Sequence, residues 1–152
     1  MVAIFIPTYN NHYVLQGMIE NIYATANYPC KVYLIIEQDD LDSINEAKRL
    51  GDKVSIIYND QKGGINHCFN LAYRLTTESL FMVTTDDIRY PNNWLLDAVS
   101  QIGDKGVLAF EDKNGLGWGF FLIKREYIEK YSGVVDEPNK IYHEYKHGCS
   151  DA

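Results

Sequence analysis

Cysteine, long apolar runs and excess positive charge are all scarce in this sequence. The three cysteines are widely spaced and form no C-x-x-C pair, so we expect reduced thiols and no disulfide framework. The longest apolar runs reach about five residues, far below the ~20 that a membrane-spanning helix needs. Because 21 Asp and Glu residues outnumber 14 Lys and Arg residues, the net charge of −7 argues against a nucleic acid as partner.

The length and the N-terminus indicate the class of protein. A chain of 152 residues with 46% hydrophobic and 23% charged residues is typical of one globular domain, which we place over residues 1–152. The first residues show neither the basic segment nor the small-residue cleavage site of a signal peptide. Together with the cysteine pattern this favours a cytoplasmic location, and contact with a membrane surface stays open.

Apolar runs and helical periodicities alternate along the chain. Short β-branched runs predict strands that are buried on both faces, and spacings of three and four residues predict amphipathic helices between them. We expect an α/β fold with a mixed, mainly parallel sheet flanked by helices. The predicted strands are 2–6, 31–36, 54–58, 80–83, 107–110 and 118–123. The first predicted helix ends near residue 25, and the other four cover 43–50, 65–75, 91–102 and 125–131.

Polar clusters follow three of the predicted strands, at residues 8–11, 37–42 and 84–87. In parallel α/β sheets, ligands bind beyond the carboxyl ends of the strands. The clusters therefore mark one edge of the sheet as the expected ligand site.

Asp86 and Asp87 form a pair of carboxylates directly after an apolar strand. Adjacent side chains at a strand end point in different directions, so we expect only one of them to bind a given metal ion directly. A hard divalent cation held there would bind a diphosphate together with water. The alternative is a solvated turn in which an Asp caps the helix that starts at Pro91.

Two glycine clusters are weaker indications of a ligand-binding site. Gly63 and Gly64 open a helix whose N-terminus is suited to an anion, although the Walker A pattern is absent. Gly115, Gly117 and Gly119 do not form a dinucleotide-binding pattern, and we interpret them as a hairpin turn.

A literal H-E-x-x-H match at residues 143–147 is the signature of zinc proteases. Gly148 follows at once, and no downstream segment remains for a third ligand. We therefore interpret the match as a chance occurrence and Cys149 as a reduced cysteine.

Taken together, these segments resemble the family 2 glycosyltransferases, which have the nucleotide-sugar-binding GT-A fold. The likeness covers nearly the whole chain in the family's order. It includes the opening strand with its P-T-Y-N turn (2–10), the second strand with its acids (35–40), a glycine-led helix start (63–72), a D-x-D-like strand end (80–87), the P-x-x-W-L helix (91–95) and an acidic turn (133–137).

The resemblance implies a donor site for a UDP- or GDP-sugar. Glu37 or Asp39 would contact the nucleotide base, and Asp87 would hold Mn²⁺ or Mg²⁺. The other implied donor-binding residues are Pro7, Thr8, Tyr9, Asn10, Gly64, Asn70, Asp86 and Trp118.

The resemblance further implies sugar transfer, with inversion, to a hydroxyl of a glycan or another acceptor. The implied catalytic base is Asp151 or, as second choice, Glu144. The sequence departs from the family at Phe69, where an arginine is usual, and at Thr85, which replaces the first D-x-D acid. Family members usually continue beyond this length, so we expect either a minimal version or a fragment.

Three other functions remain as alternatives. A catalytically silent nucleotide-sugar-binding module would share the whole donor site. A nucleotidyltransferase would also use an α/β sheet and Mg²⁺, but residues 7–10 lack the glycine-rich, arginine-containing loop usual for that class. An H-E-x-x-H zinc protease ranks last.

Overall fold

The computed structural model describes residues 1–111, 117–131 and 141, without the side chains of 117–119. The strands are β1 (Val2–Thr8), β2 (Cys30–Glu37), β3 (Val54–Asn59), β4 (Leu80–Val83), β5 (Val107–Glu111) and β6 (Gly117–Lys124). The helices are α1 (His12–Thr25), α2 (Leu41–Leu50), α3 (Gly64–Leu75), α4 (Trp94–Ile102) and α5 (Arg125–Lys130).

The strands of the described part form one sheet of 6 strands in the order β3-β2-β1-β4-β6-β5. β1 lies between β2 and β4 and is parallel to both, and β3 extends the parallel part beyond β2. β6 pairs antiparallel with both β4 and β5. The predicted mixed, mainly parallel α/β sheet is therefore confirmed.

Apolar residues on both faces of the sheet explain why its centre is buried. Residues 2–6 of β1 are completely buried, with one set of side chains on each face. One face packs against α1, α2 and α4, and the other packs mainly against α3. On the α3 side, Phe5 and Phe81 stack with ring centroids 5.2 Å apart. No helix in the part that the structure describes is long and apolar enough to cross a membrane.

The start of α4 differs from the prediction. α4 begins at Trp94, so Pro91 lies in the preceding turn and not in the first turn of the helix. Asn93 adopts a left-handed conformation with φ of 64°. Its backbone N–H donates to the carbonyl of Thr25 at 2.7 Å, and its side chain accepts from the Asn27 amide at 2.6 Å. Contacts with the end of α1 thus fix where α4 starts, which local sequence does not reveal.

Candidate functional site

The ends of β1 and β4 meet at the carboxyl edge of the sheet. The hydroxyl of Thr8, which is buried, donates to a carboxylate oxygen of Asp86 at 3.1 Å. Burial raises the pKa of Asp86, and hydrogen bonds from Asn11 and Thr8 offset part of that effect. The negative charge of Asp87 raises this pKa further. The Asp86 carboxylate is therefore less favourable to ionise than an exposed one, because it is partly buried and lies beside a second negative charge.

Asp87 is exposed and has a different partner. Its carboxylate accepts a hydrogen bond from the Thr85 hydroxyl at 2.5 Å. The N-cap residue of α4 is Asn93, so the predicted capping by Asp86 or Asp87 is wrong. Residues 86–87 do form a turn, so the fold is compatible with the rest of that alternative. The two neighbouring carboxylates have separate partners, as expected for adjacent residues at a strand end.

Asp40 connects the end of β1 to the start of α2. One carboxylate oxygen accepts the backbone N–H of Asn10 at 2.7 Å, and the other accepts that of Ser43 at 3.2 Å. Burial raises the pKa of Asp40, but hydrogen bonds from Ser43 and Asn10 outweigh it, so the pKa lies below its ordinary value. Sequence reasoning missed this residue. The available signal was an Asp directly before the helix, with Ser43 at the third helical position.

The two candidate base-binding acids lie in different surroundings. Glu37 is half-buried and accepts a hydrogen bond from the Asn59 amide at 3.2 Å. Asp39 is exposed and forms a salt bridge with Lys62 at 2.8 Å. The Lys62 ammonium also lies 5.6 Å from the centre of the Tyr9 ring. Asn59 and Lys62 belong to this edge although the sequence analysis did not select them, since only the pairing of β2 with β3 brings them here.

The glycine-led start of α3 also lies at this edge, after β3. Gly64 has a positive φ of 79°, and a Cβ at Gly63 would lie 2.6 Å from the His67 side chain. Both positions therefore favour glycine. Asn70 is fully buried farther along α3, and its side-chain oxygen accepts the backbone N–H of Ile141 at 2.8 Å. Asn70 thus connects α3 to a distant part of the chain, and its donor-binding role stays a prediction.

The remaining predicted site residues are only partly within the described region. Pro7 is half-buried in β1, and Asn10 is exposed with φ of 53°. Trp118 lies in β6, but its side chain is outside the description. Both candidate catalytic bases, Glu144 and Asp151, lie outside the described residues, as do the H-E-x-x-H match and the acidic turn at 133–137.

The oxygen atoms near Asp87 are chemically suited to a hard divalent cation. The described residues contain no cluster of three or more His, Cys, Asp or Glu side chains that would enclose a metal ion. Mg²⁺ and similar ions are commonly held by one or two carboxylates, with water and substrate phosphates completing the coordination. The exposed Asp87 carboxylate, beside the Thr85 hydroxyl, fits a cation of that kind that is shared with a diphosphate.

A cavity of about 750 Å³ adjoins the Asp87 end of the sheet, between α4 and β5. The rings of Tyr90 and Trp94 stack in its wall with centroids 4.0 Å apart. Asn21 holds Tyr90 in place, because its side chain accepts the Tyr90 backbone N–H at 2.8 Å and donates to the Tyr90 carbonyl at 3.1 Å. We call this space the aromatic cavity. Its described lining is Thr85, Asp87, Ile88, Arg89, Tyr90, Pro91, Trp94, Asp97, Ala98, Gln101, Leu108, Ala109, Phe110, Glu111 and Phe120.

The family profile for glycosyl transferase family 2 matches residues 3–111, which include all of β1 except its first residue, β2 to β5, and the whole carboxyl edge described above. The chain therefore belongs to glycosyl transferase family 2. A search of curated protein sequences finds no significant match.

Solved structures with the same architecture are glycosyltransferases of the GT-A fold. The mannosyltransferase PcManGT from Pyrobaculum calidifontis, in complex with GDP-Man and Mn²⁺, superposes with a TM-score of 0.72 at 20% identity, over 87% of this chain and 46% of that one. TarS from S. aureus in complex with UDP-GlcNAc gives a TM-score of 0.60 at 20% identity, over 76% of this chain and 36% of that one. The chain thus spans less than half the length of these structures, and it has their GT-A fold.

Proposed function

We propose that the protein transfers a sugar from a UDP- or GDP-sugar to a hydroxyl group of an acceptor. The observation that carries this proposal is the convergence of polar groups from β1, β2 and β4 on one edge of the sheet, in a chain of glycosyl transferase family 2. Ligands of parallel α/β sheets bind at that edge. Similar structures contain GDP-Man or UDP-GlcNAc, which supports a nucleotide sugar as donor.

Recognition of the nucleotide base is assigned to Glu37 or Asp39. A carboxylate accepts an N–H of the base, which distinguishes bases by the position of their donors. Glu37 is the better placed by rigidity, because Asn59 holds its side chain. Asp39 would have to exchange its salt bridge with Lys62 for the base.

The diphosphate is assigned to Asp87 together with Mn²⁺ or Mg²⁺. Such a cation, when bound, neutralises the charge that develops on the leaving nucleoside diphosphate. The presence of Mn²⁺ in the PcManGT complex supports this assignment. A net charge of −7 disfavours binding of a bare diphosphate, which also favours a metal ion in that role.

The transfer is proposed to proceed with inversion, in a single displacement. The acceptor oxygen forms a bond to the anomeric carbon from the face opposite the leaving group, and the bond from that carbon to the phosphate oxygen breaks. The electron pair leaves with the nucleoside diphosphate, and the proton of the acceptor hydroxyl passes to a carboxylate base. We assign the base to Asp151, with Glu144 as second choice, on the family resemblance alone.

A thermal-shift screen of UDP-, GDP- and dTDP-sugars, with and without Mn²⁺, tests donor binding. A ligand that binds only the native state raises the melting temperature by mass action, so one nucleotide class should raise it in a Mn²⁺-dependent manner. Chromatographic detection of released nucleoside diphosphate and glycosylated acceptor then tests transfer. Binding without any product would indicate the silent nucleotide-sugar-binding module, and absence of binding to all three donor classes would contradict the proposal.

A further inference from the structure

We propose that the aromatic cavity binds the acceptor, and that this acceptor is a neutral saccharide. The proposal rests on the proposed function, because it assigns the second substrate of the same reaction. The cavity shares Thr85 and Asp87 with the edge to which we assign the diphosphate. A molecule in the cavity would therefore reach the place where the donor sugar leaves its phosphate.

The size of the cavity suits a small organic ligand. Binding sites for such ligands usually enclose about 300–1,000 Å³, and this cavity has about 750 Å³. Its wall follows α4 from Trp94 to Gln101, a distance of about 10 Å at 1.5 Å per residue. The lining thus extends from Asp87 along about two turns of α4, which is room for an acceptor with one end at the reaction centre.

Four of the lining residues are aromatic. Phe110 and Phe120 are half-buried and keep ring surface exposed, whereas Tyr90 and Trp94 are only 9% and 5% exposed and pack in the core behind them. Flat aromatic surfaces pack against the apolar C–H faces of sugar rings and lose little side-chain entropy in doing so. The indole N–H of Trp94 is buried without a hydrogen-bond partner among the described residues.

The charged groups of the lining determine which saccharide fits. Apart from Asp87, which we assign to the metal ion and the diphosphate, the lining contains two carboxylates, Asp97 and Glu111, and one cation, Arg89. Ionised carboxylates only accept hydrogen bonds, so they suit the hydroxyl donors of a neutral sugar and repel phosphate or uronate groups. The same polar groups are a poor environment for a wholly apolar lipid chain. Acceptors that are polyanionic or purely apolar are therefore disfavoured.

An NMR titration of the ¹⁵N-labelled protein tests this proposal directly. The sequence has 2 tryptophans, so the spectrum has two indole N–H signals, and Trp118→Phe assigns the one from Trp94. The neutral probes are mannotriose, chitotriose and maltotriose, and the anionic probe is trigalacturonate. Octanol serves as the apolar probe. We expect at least one neutral trisaccharide to shift the Trp94 signal in a saturable manner.

Matched variants locate the binding. Asp97→Asn and Gln101→Ala change exposed side chains of the lining and should weaken trisaccharide binding at least fivefold. Asp104→Asn, an exposed acid just after α4 that does not line the cavity, should leave binding unchanged. Equal affinity in all three variants would overturn the proposal. A response to trigalacturonate or octanol alone, or to no probe, would overturn it as well.

A separate titration of the same sample with UDP or GDP and Mn²⁺ distinguishes the two proposals. Nucleotide binding without trisaccharide binding overturns the acceptor site alone. Trisaccharide binding without nucleotide binding overturns the proposed transfer reaction and leaves a saccharide-binding cavity.

Discussion

The two regions that flank Asp87 differ in how far their polar groups are already bonded within the protein. On the β1–β3 side, polar groups already have partners within the protein: Asp40 accepts two backbone N–H groups, and Asn59 holds Glu37. On the α4–β5 side, aromatic, aliphatic and charged side chains line an open cavity of about 750 Å³. A fixed polar network is suited to a ligand of constant chemistry such as a nucleotide. An open cavity of this size is suited to a small organic ligand.

The loss of Asp40 should have the largest effect on the polar side. Asp40→Ala leaves the partly buried N–H of Asn10 and the buried N–H of Ser43 without their acceptor and removes the N-cap of α2. This should lower the free energy of unfolding by about 2–4 kcal/mol. Asp42→Ala, an exposed acid in the first turn of the same helix, is the matched control. Urea denaturation at pH 7 measures both. Equal midpoints would show that Asp40 does not organise this edge.

The same carboxylate predicts an acid-sensitive stability. Because the pKa of Asp40 is lower in the folded protein, its contribution is present above the ordinary carboxyl pKa. That contribution should be lost as the pH falls from the ordinary value through the lower folded value. The difference between wild type and Asp40→Ala should therefore shrink in acid, and a constant difference down to pH 2 would contradict this explanation.

Asn21 of α1 holds the backbone of Tyr90 in the wall of the aromatic cavity, and its loss should have the next largest effect on stability. Asn21→Ala removes both hydrogen bonds to the Tyr90 backbone and should destabilise the protein by about 1–3 kcal/mol. Asn45→Ala, at an exposed position of α2, provides the comparison. Thermal denaturation reports stability, and the Trp94 indole NMR signal reports the wall of the aromatic cavity. An unchanged Trp94 signal in Asn21→Ala would show that the hydrogen bonds between Asn21 and Tyr90 do not shape the cavity.

Base recognition should depend on one acid of the polar side. If Glu37 contacts the base, Glu37→Gln should weaken binding of the preferred nucleoside diphosphate roughly tenfold and leave pyrophosphate binding unchanged. Asp39→Asn is the matched variant for the other candidate. Calorimetric titration of each ligand separates the two roles. An equal loss for nucleoside diphosphate and pyrophosphate would indicate a general effect on the site.

Substitution of Asp86 should have the smallest effect on stability, and it should stabilise the protein where substitution of Asp40 destabilises it. Its raised pKa means that ionisation costs stability in the folded protein. This cost is absent below the unfolded pKa and appears as the pH rises through the folded pKa. Asp86→Asn, which keeps an acceptor for Thr8, should therefore raise the melting temperature slightly at pH 7 and leave it unchanged in strong acid. A lower melting temperature at pH 7 would contradict this sign.

The sequence predicted the strands well because their signal is local. Residues 80–83, for example, are predicted and observed with the same bounds. The start of α4 was missed because Asn93 takes its conformation from hydrogen bonds to Thr25 and Asn27, which are distant in sequence. Lys62 and Asn59 could not be assigned for a similar reason, since their partners lie on β2 or directly after it. The aromatic cavity depends on how α4 packs beside β5, which no periodicity specifies.

Calorimetric titration of the preferred nucleoside diphosphate in the presence and absence of Mn²⁺ tests the central claim most directly. The experiment compares the wild-type chain with Asp87→Asn and with Asp97→Asn, a matched change of an acid outside the diphosphate site. We predict that the wild type and Asp97→Asn bind in a Mn²⁺-dependent manner, and that Asp87→Asn loses at least roughly tenfold in affinity while keeping its melting temperature. Equal, Mn²⁺-dependent binding by all three proteins would contradict the assignment of the metal and the diphosphate to Asp87.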